Sequence, residues 1–122
     1  ISNNINFLSP VKDIKHSYNQ SSIFLMTSRT EAFGMVLIEA MSSGVPCIAY
    51  NCPSGPRAII EDGENGFLIE DGNTASFVRK LALLIEDENL RMQMGKKAKE
   101  SVTVYDEEII MKKWQDLFES LI

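Results

Sequence analysis

An α/β fold, a parallel sheet with flanking helices and a helical carboxy-terminal tail, is what this sequence predicts, on three observations. Short apolar runs alternate with segments of helical spacing through residue 69. The runs are continuously apolar, not alternating, as strands buried on both faces are. After residue 69 the alternation gives way to helical spacing alone. The chain has 122 residues, 44% of them hydrophobic, with four prolines, which suits one globular core and not a disordered segment.

The expected strands are Ile5 to Leu8, Ile23 to Met26, Pro46 to Tyr50 and Gly66 to Ile69. Between the first two, Val11, Ile14 and Tyr18 follow a helical stripe with Pro10 in its first turn. Met35 to Ser43 reads as a second helix stopped by Gly44, and Pro56 to Glu61 as a short third. In the tail, Phe77, Val78, Leu81, Leu84 and Ile85 share one face of a helix that Asn73 or Thr74 can cap. Leu90, Met94 and Ala98 mark the next helix. Ile110, Trp114, Leu117 and Leu121 mark the last, with Asp106 as its N-cap and Trp114 as its core anchor. The first residue is Ile1, not Met, and four strands are few for a doubly wound sheet, so earlier strands of the same domain are expected upstream. Residues 1–122 thus read as part of a single domain.

Composition excludes several functions. A formal net charge of -5 gives no electrostatic footprint for nucleic acid, which calls for clustered Lys and Arg. Lys96, Lys97, Lys99, Lys112 and Lys113 are interspersed with Glu100, Glu107 and Glu108, as on solvated helix faces. The apolar runs are too short to cross a bilayer. Cys47 and Cys52 match no usual zinc spacing and His16 has no second His beside it, so no metal site is expected. Cys47, inside Pro46-Cys-Ile-Ala-Tyr50, reads as a small core residue, and His16 as a surface one.

The informative stretch is Thr27-Ser-Arg-Thr-Glu31-Ala-Phe-Gly-Met-Val-Leu-Ile-Glu39-Ala-Met. It leaves a strand and opens a helix, where open α/β sheets bind ligands. Gly34 permits close approach of a ligand to the backbone, and the amides of Gly34, Met35 and Val36 at the helix start would face a diphosphate or sugar hydroxyls. Glu39 is a carboxylate among Met, Val, Leu, Ile and Ala, and such a group needs a partner. The two adjacent hydroxyls of a ribose match its two acceptor oxygens. The alternative is a helix-face acid satisfied by serine or backbone groups. Phe33 and Met35 are expected to pack through their side chains.

Glu31 and Glu39, seven residues between them and Phe33-Gly34 after the first, resemble the signature of the family-four retaining glycosyltransferases. These are group 1 glycosyl transferases of the GT-B class, built from two Rossmann-like domains. Gly44-Val-Pro46, Cys52-Pro-Ser-Gly-Pro56 and Glu61-Asp-Gly-Glu-Asn-Gly-Phe-Leu-Ile69 follow in the family's order, so the likeness covers nearly the whole chain. The resemblance implies the carboxy-terminal, nucleotide-sugar-binding domain, with the acceptor domain and the first part of this domain missing. It implies transfer with retention of configuration, from a UDP-sugar to a carbohydrate or lipid-linked acceptor, in polysaccharide or glycoconjugate synthesis. The donor is a substrate, and no cofactor is implied.

By the same resemblance Glu31, in the catalytic position, faces the transferred sugar and positions it. Phe33, Gly34, Met35 and Val36 contact the donor sugar and phosphate, and Glu39 holds the ribose. An Arg and a Lys for the diphosphate come from an earlier part of the domain; Arg29 and Arg57 are the nearest local cations. The implied location is cytoplasmic, peripheral at the inner face of the membrane. The chain departs from the family at Ala32, where Gly is frequent, and at Arg57-Ala58, where many relatives carry Glu. Its Cys-Pro-Ser-Gly-Pro turn resembles members acting on galactose-type or N-acetylated amino-sugar donors. Two other readings stand beside transfer: a sugar-nucleotide epimerase of similar architecture, which should lack the Glu-Ala-Phe-Gly loop, and a non-catalytic receiver-like domain, which needs an acidic cluster that the sequence does not show.

Overall fold

Three parallel strands form the sheet in the computed structural model, which describes residues 2–122. They are β1 (Phe24–Met26), β2 (Cys47–Tyr50) and β3 (Gly66–Ile69), in the order β1-β2-β3. Phe24 lies opposite Cys47, and Cys47 in turn opposite Gly66. Pairing is close at that end of the sheet: a Cβ on Gly66 would stand 2.8 Å from the Cys47 carbonyl oxygen, so only glycine fits.

The helices are α1 (Ile14–Asn19), α2 (Met35–Ser42), α3 (Pro56–Ile59), α4 (Thr74–Glu86), α5 (Glu88–Ser101) and α6 (Glu107–Ser120), with a 3-10 turn at Val102–Tyr105 ahead of α6. Local chemistry sets several of their starts. Asn73 caps α4 by accepting from the Ser76 amide at 3.0 Å, Asp87 caps α5 from the Leu90 amide at 2.9 Å, and Pro56 opens α3. Asp106 flanks α6 without a side-chain bond to its first turn.

Strand alternation splits the core across the sheet. Cys47 and Ala49 pack with Leu37, Met41, Ile59 and Ala98 on the side of α2, and α5 serves both clusters, through Ala98 here and Met94 on the other face. Ile48 packs with Phe67, Ile69, Phe77, Leu84 and Met94 on the other. Both faces are therefore covered, which is why these strands read as unbroken apolar runs. The buried Asn65 side chain ties the turn before β3 to α5: it accepts from the Glu61 amide at 2.8 Å and donates to the Ile59 carbonyl at 3.2 Å and the Ser101 hydroxyl at 3.0 Å.

Three expectations are corrected. Residues 5–8 form no strand; they are irregular, with Phe7 96% exposed, because a strand needs a paired neighbour and this run has none among the described residues. Among the described residues the sheet thus has three strands, not four. Helix α1 starts at Ile14 behind Asp13, which accepts from the Lys15 amide at 3.1 Å, so Pro10 and Val11 lie outside it. Trp114 anchors no core: it is 52% exposed, stacked on Phe118, and α6 buries no residue. Among the described residues no helix is long and apolar enough to cross a membrane.

Candidate functional site

The chain leaves the carboxyl end of β1 at Met26 and reaches α2 through residues 27–34. Gly34 ends this loop in the left-handed region, φ 90° and ψ 46°, and occupies the N-cap of α2 without a side-chain bond. A residue with a Cβ would be strained there, so glycine is required for the chain to enter the helix at this angle. The Leu37 amide closes the first turn onto the Gly34 carbonyl at 2.9 Å. Met35 and Val36 follow at the exposed helix start, so their amides stand at the positive end of the helix dipole. Met35 does not pack as expected; its side chain is exposed.

The second loop, Cys52 to Pro56, holds the first. Ser54 at φ 69° and Gly55 at φ 40° turn the chain against it, and a Cβ on Gly55 would lie 2.9 Å from the Phe33 carbonyl oxygen and 3.1 Å from the Glu31 Cβ. Glu31 is half-buried against this turn. Phe33 packs edge-on against Tyr105 of the 3-10 turn, ring centroids 5.6 Å apart, while keeping a partly exposed face. The Tyr105 hydroxyl donates to the Ala58 carbonyl at 3.5 Å, so one aromatic residue touches the first loop and the helix α3 that follows the second.

Glu39 lies one helix turn further on, in a separate cleft of about 200 Å³ lined by Ile14, Lys15, Tyr18, Glu39 and Ser42. Its Oε2 accepts a hydrogen bond from the Tyr18 hydroxyl at 3.2 Å. Ser42 and Ser43 donate to the Glu39 backbone carbonyl at 2.8 and 3.4 Å, so the serines do not satisfy its carboxylate. Burial, then the bond to Glu39 and its charge, push the Tyr18 hydroxyl from 10.0 up to about 12, which keeps it protonated and a donor.

The structure therefore gathers Glu31, Phe33, Gly34, Met35 and Val36 at the β1–α2 loop and sets Glu39 in the α1–α2 cleft. Arg29 and Arg57 are exposed. Among the described residues no group of three His, Cys, Asp or Glu could hold a metal ion. Three residues at the site carry no role in the sequence reading: Tyr18, Gly55 and Tyr105. For Gly55 a signal existed in Ser-Gly-Pro, a turn-forming run; for the tyrosines there was none, since each meets its partner across a distant stretch of chain.

Comparison with known proteins follows the same residues. The model of the family described as glycosyl transferases group 1 matches residues 1–101. A glycosyltransferase of Haemophilus influenzae is 37% identical over 117 residues, 96% of this chain and 33% of that protein. The amylovoran biosynthesis glycosyltransferase AmsD of Erwinia amylovora is 38% identical over 110 residues, 90% of this chain and 31% of that protein. Among solved structures, Anabaena HepE in complex with UDP superposes with a TM-score of 0.92 at 26% identity, over 98% of this chain and 33% of that one. The chain thus spans about a third of the length of these relatives. With the family's match over residues 1–101 and relatives of this identity, this chain belongs to the group 1 glycosyl transferases.

Proposed function

We propose that residues 1–122 are part of a nucleotide-sugar-binding, Rossmann-like domain, and that the longer protein transfers a sugar from a UDP-sugar to a carbohydrate or lipid-linked acceptor with retention of configuration. The observation that carries the reading is the pairing of an uncapped α2 N-terminus behind Gly34 with the carboxylate of Glu39 one turn on. A donor whose diphosphate meets helix amides and whose ribose meets an acid would use both features. UDP is favoured as the nucleotide because HepE was solved with UDP and a Staphylococcus aureus TarM variant, 34% identical with a TM-score of 0.79, with UDP and alpha-GlcNAc-glycerol. Family membership favours transfer over epimerisation or a receiver role.

In this reading Glu31 positions the transferred sugar while its anomeric bond to the diphosphate breaks, and the acceptor hydroxyl bonds to the anomeric carbon from the same face within a short-lived ion pair, passing its proton to the departing diphosphate. The leaving group is already a stable anion and needs charge stabilisation more than protonation. A helix N-terminus supplies only ~0.3–1 kcal/mol, up to ~2 when partly buried, against the ~8 kcal/mol or more an enzyme removes from a barrier. Cationic groups from outside residues 1–122 complete the site, as does an acceptor domain. The protein works in the cytoplasm, at the inner face of the membrane where the acceptor is lipid-linked.

The test is thermal stabilisation of the full-length protein by uridine, guanosine and adenosine diphosphate sugars. Ligand at 100 times its Kd adds about 2.7 kcal/mol, visible as a melting shift. A shift with the uridine series and an axial anomeric product by NMR from an axial donor are expected; no shift with any series overturns the reading. Glu31→Gln is expected to lower turnover more than UDP affinity.

A further inference from the structure

We infer that Tyr18 is a positioning residue for the donor site: its hydroxyl fixes the plane of the Glu39 carboxylate so that the remaining acceptor positions face the ribose. The inference rests on the ribose role proposed for Glu39 and adds a second residue, from a different helix, to that subsite.

Tyr18 is the buried residue of α1. Its ring packs edge-on to Phe24 of β1, centroids 5.8 Å apart at an interplanar angle of 73°, inside the core cluster that includes Leu37, Ala40 and Met41. With the ring held in this way, the hydroxyl has a fixed place at the floor of the α1–α2 cleft. There it donates to Glu39 Oε2, across 21 residues of sequence. A six-residue helix is too short to hold itself in water, so α1 owes its position to this packing, and the phenol is presented by the core.

The carboxylate gains what it lacks by itself. The last torsion of a glutamate is broad and its carboxylate rotates with little preference. One donor on Oε2 removes that freedom before the ligand arrives, so less order must be imposed on binding. The bond uses one of roughly four lone-pair positions on the carboxylate. Oε1 and the second lone pair of Oε2 remain for two adjacent ribose hydroxyls. The phenol is suited to the task because, with its ionisation pushed up to about 12, it is a donor throughout the working range of pH. Phenylalanine would fill the core as well as tyrosine does. The hydroxyl is what the packing leaves unexplained, and the carboxylate is where it points.

The experiment is calorimetric titration of the full-length protein with UDP and with 2′,3′-dideoxyuridine diphosphate, for wild type, Tyr18→Phe, Glu39→Ala and the double variant. Glu39→Ala is expected to raise the Kd for UDP roughly tenfold or more, and Tyr18→Phe about threefold to tenfold with a melting temperature near that of wild type. Tyr18→Phe adds nothing in the Glu39→Ala background. The dideoxy nucleotide binds wild type and Tyr18→Phe alike. If Glu39→Ala weakens UDP and Tyr18→Phe does not, the positioning role falls while the ribose reading stands. An equal loss from Tyr18→Phe with and without Glu39 places the phenol's effect elsewhere and overturns the inference. Full UDP affinity in Glu39→Ala overturns the ribose role and this inference with it.

Discussion

Helices α2 and α6 each carry several large apolar residues, yet they end in opposite surroundings. Eight-residue α2 buries Leu37, Ala40 and Met41 between the sheet and α5, while fourteen-residue α6 buries none and presents Trp114, Leu117 and Phe118 outward. The difference lies in neighbours, not in hydrophobicity. β1, β2, α1 and α5 all pack on α2, whereas α6 touches mainly the 3-10 turn before it. A helix whose place is fixed from several sides can hold a loop glycine and a carboxylate in register, which is what a binding site requires.

The largest expected effect is at the α2–α5 contact, where a Cβ on Gly95 would overlap the Gly44 carbonyl oxygen, a backbone atom that cannot swing aside. Gly95→Ala should cost about 2–4 kcal/mol in urea denaturation. A neutral result would mean that α2 is far less constrained than its packing indicates.

Next comes alkaline pH, which acts on the core below α2. Burial pushes the Cys47 thiol from 9.0 up to about 12, and the Tyr18 hydroxyl rises from 10.0 to about 12. Both groups bind a proton more tightly folded than unfolded. Their contribution is complete well below pH 9 and is lost as pH rises toward 12, with about 2 kcal/mol gone near pH 10, most of it from Cys47. Denaturation curves at pH 8, 9 and 10 check this, and Cys47→Ala should flatten the decline. A slope unchanged in that variant would remove the thiol as its cause.

The smallest effect is expected on α6. Trp114→Ala should change the stability of this chain by no more than about 0.5 kcal/mol, as surface substitutions do. The same urea measurements decide it. A loss of several kcal/mol would show that the face of α6 is covered, and would erase the contrast with α2.

Much of the site was legible because its signals are local. Gly34 after Phe33, an apolar run behind it and Gly44 beyond it define a loop, a helix and a stop within one short stretch of chain, and the structure forms them there. The strands at 24–26, 47–50 and 66–69 were legible for the same reason, as apolar runs bounded by turn residues. Residues 5–8 carry an equally apolar pattern and form no strand, since periodicity reports what a segment could bury and not whether a neighbour exists to pair with it. Trp114 was misplaced on the same grounds. The clamp of Gly55 on the Glu31 loop and the bond from Tyr18 to Glu39 join positions 24 and 21 residues apart, beyond the reach of any local pattern.

Local signals in the sequence were enough for the α/β class and for a glycine opening helix α2 between Glu31 and Glu39, because backbone sterics and hydrophobic periodicity act over a few residues. The tertiary structure alone decided which apolar faces are covered, which loop supports Glu31 and which hydroxyl meets Glu39. Those outcomes depend on surfaces brought together from distant parts of the chain, where the entropy of loop closure is offset only by the packing of the whole core.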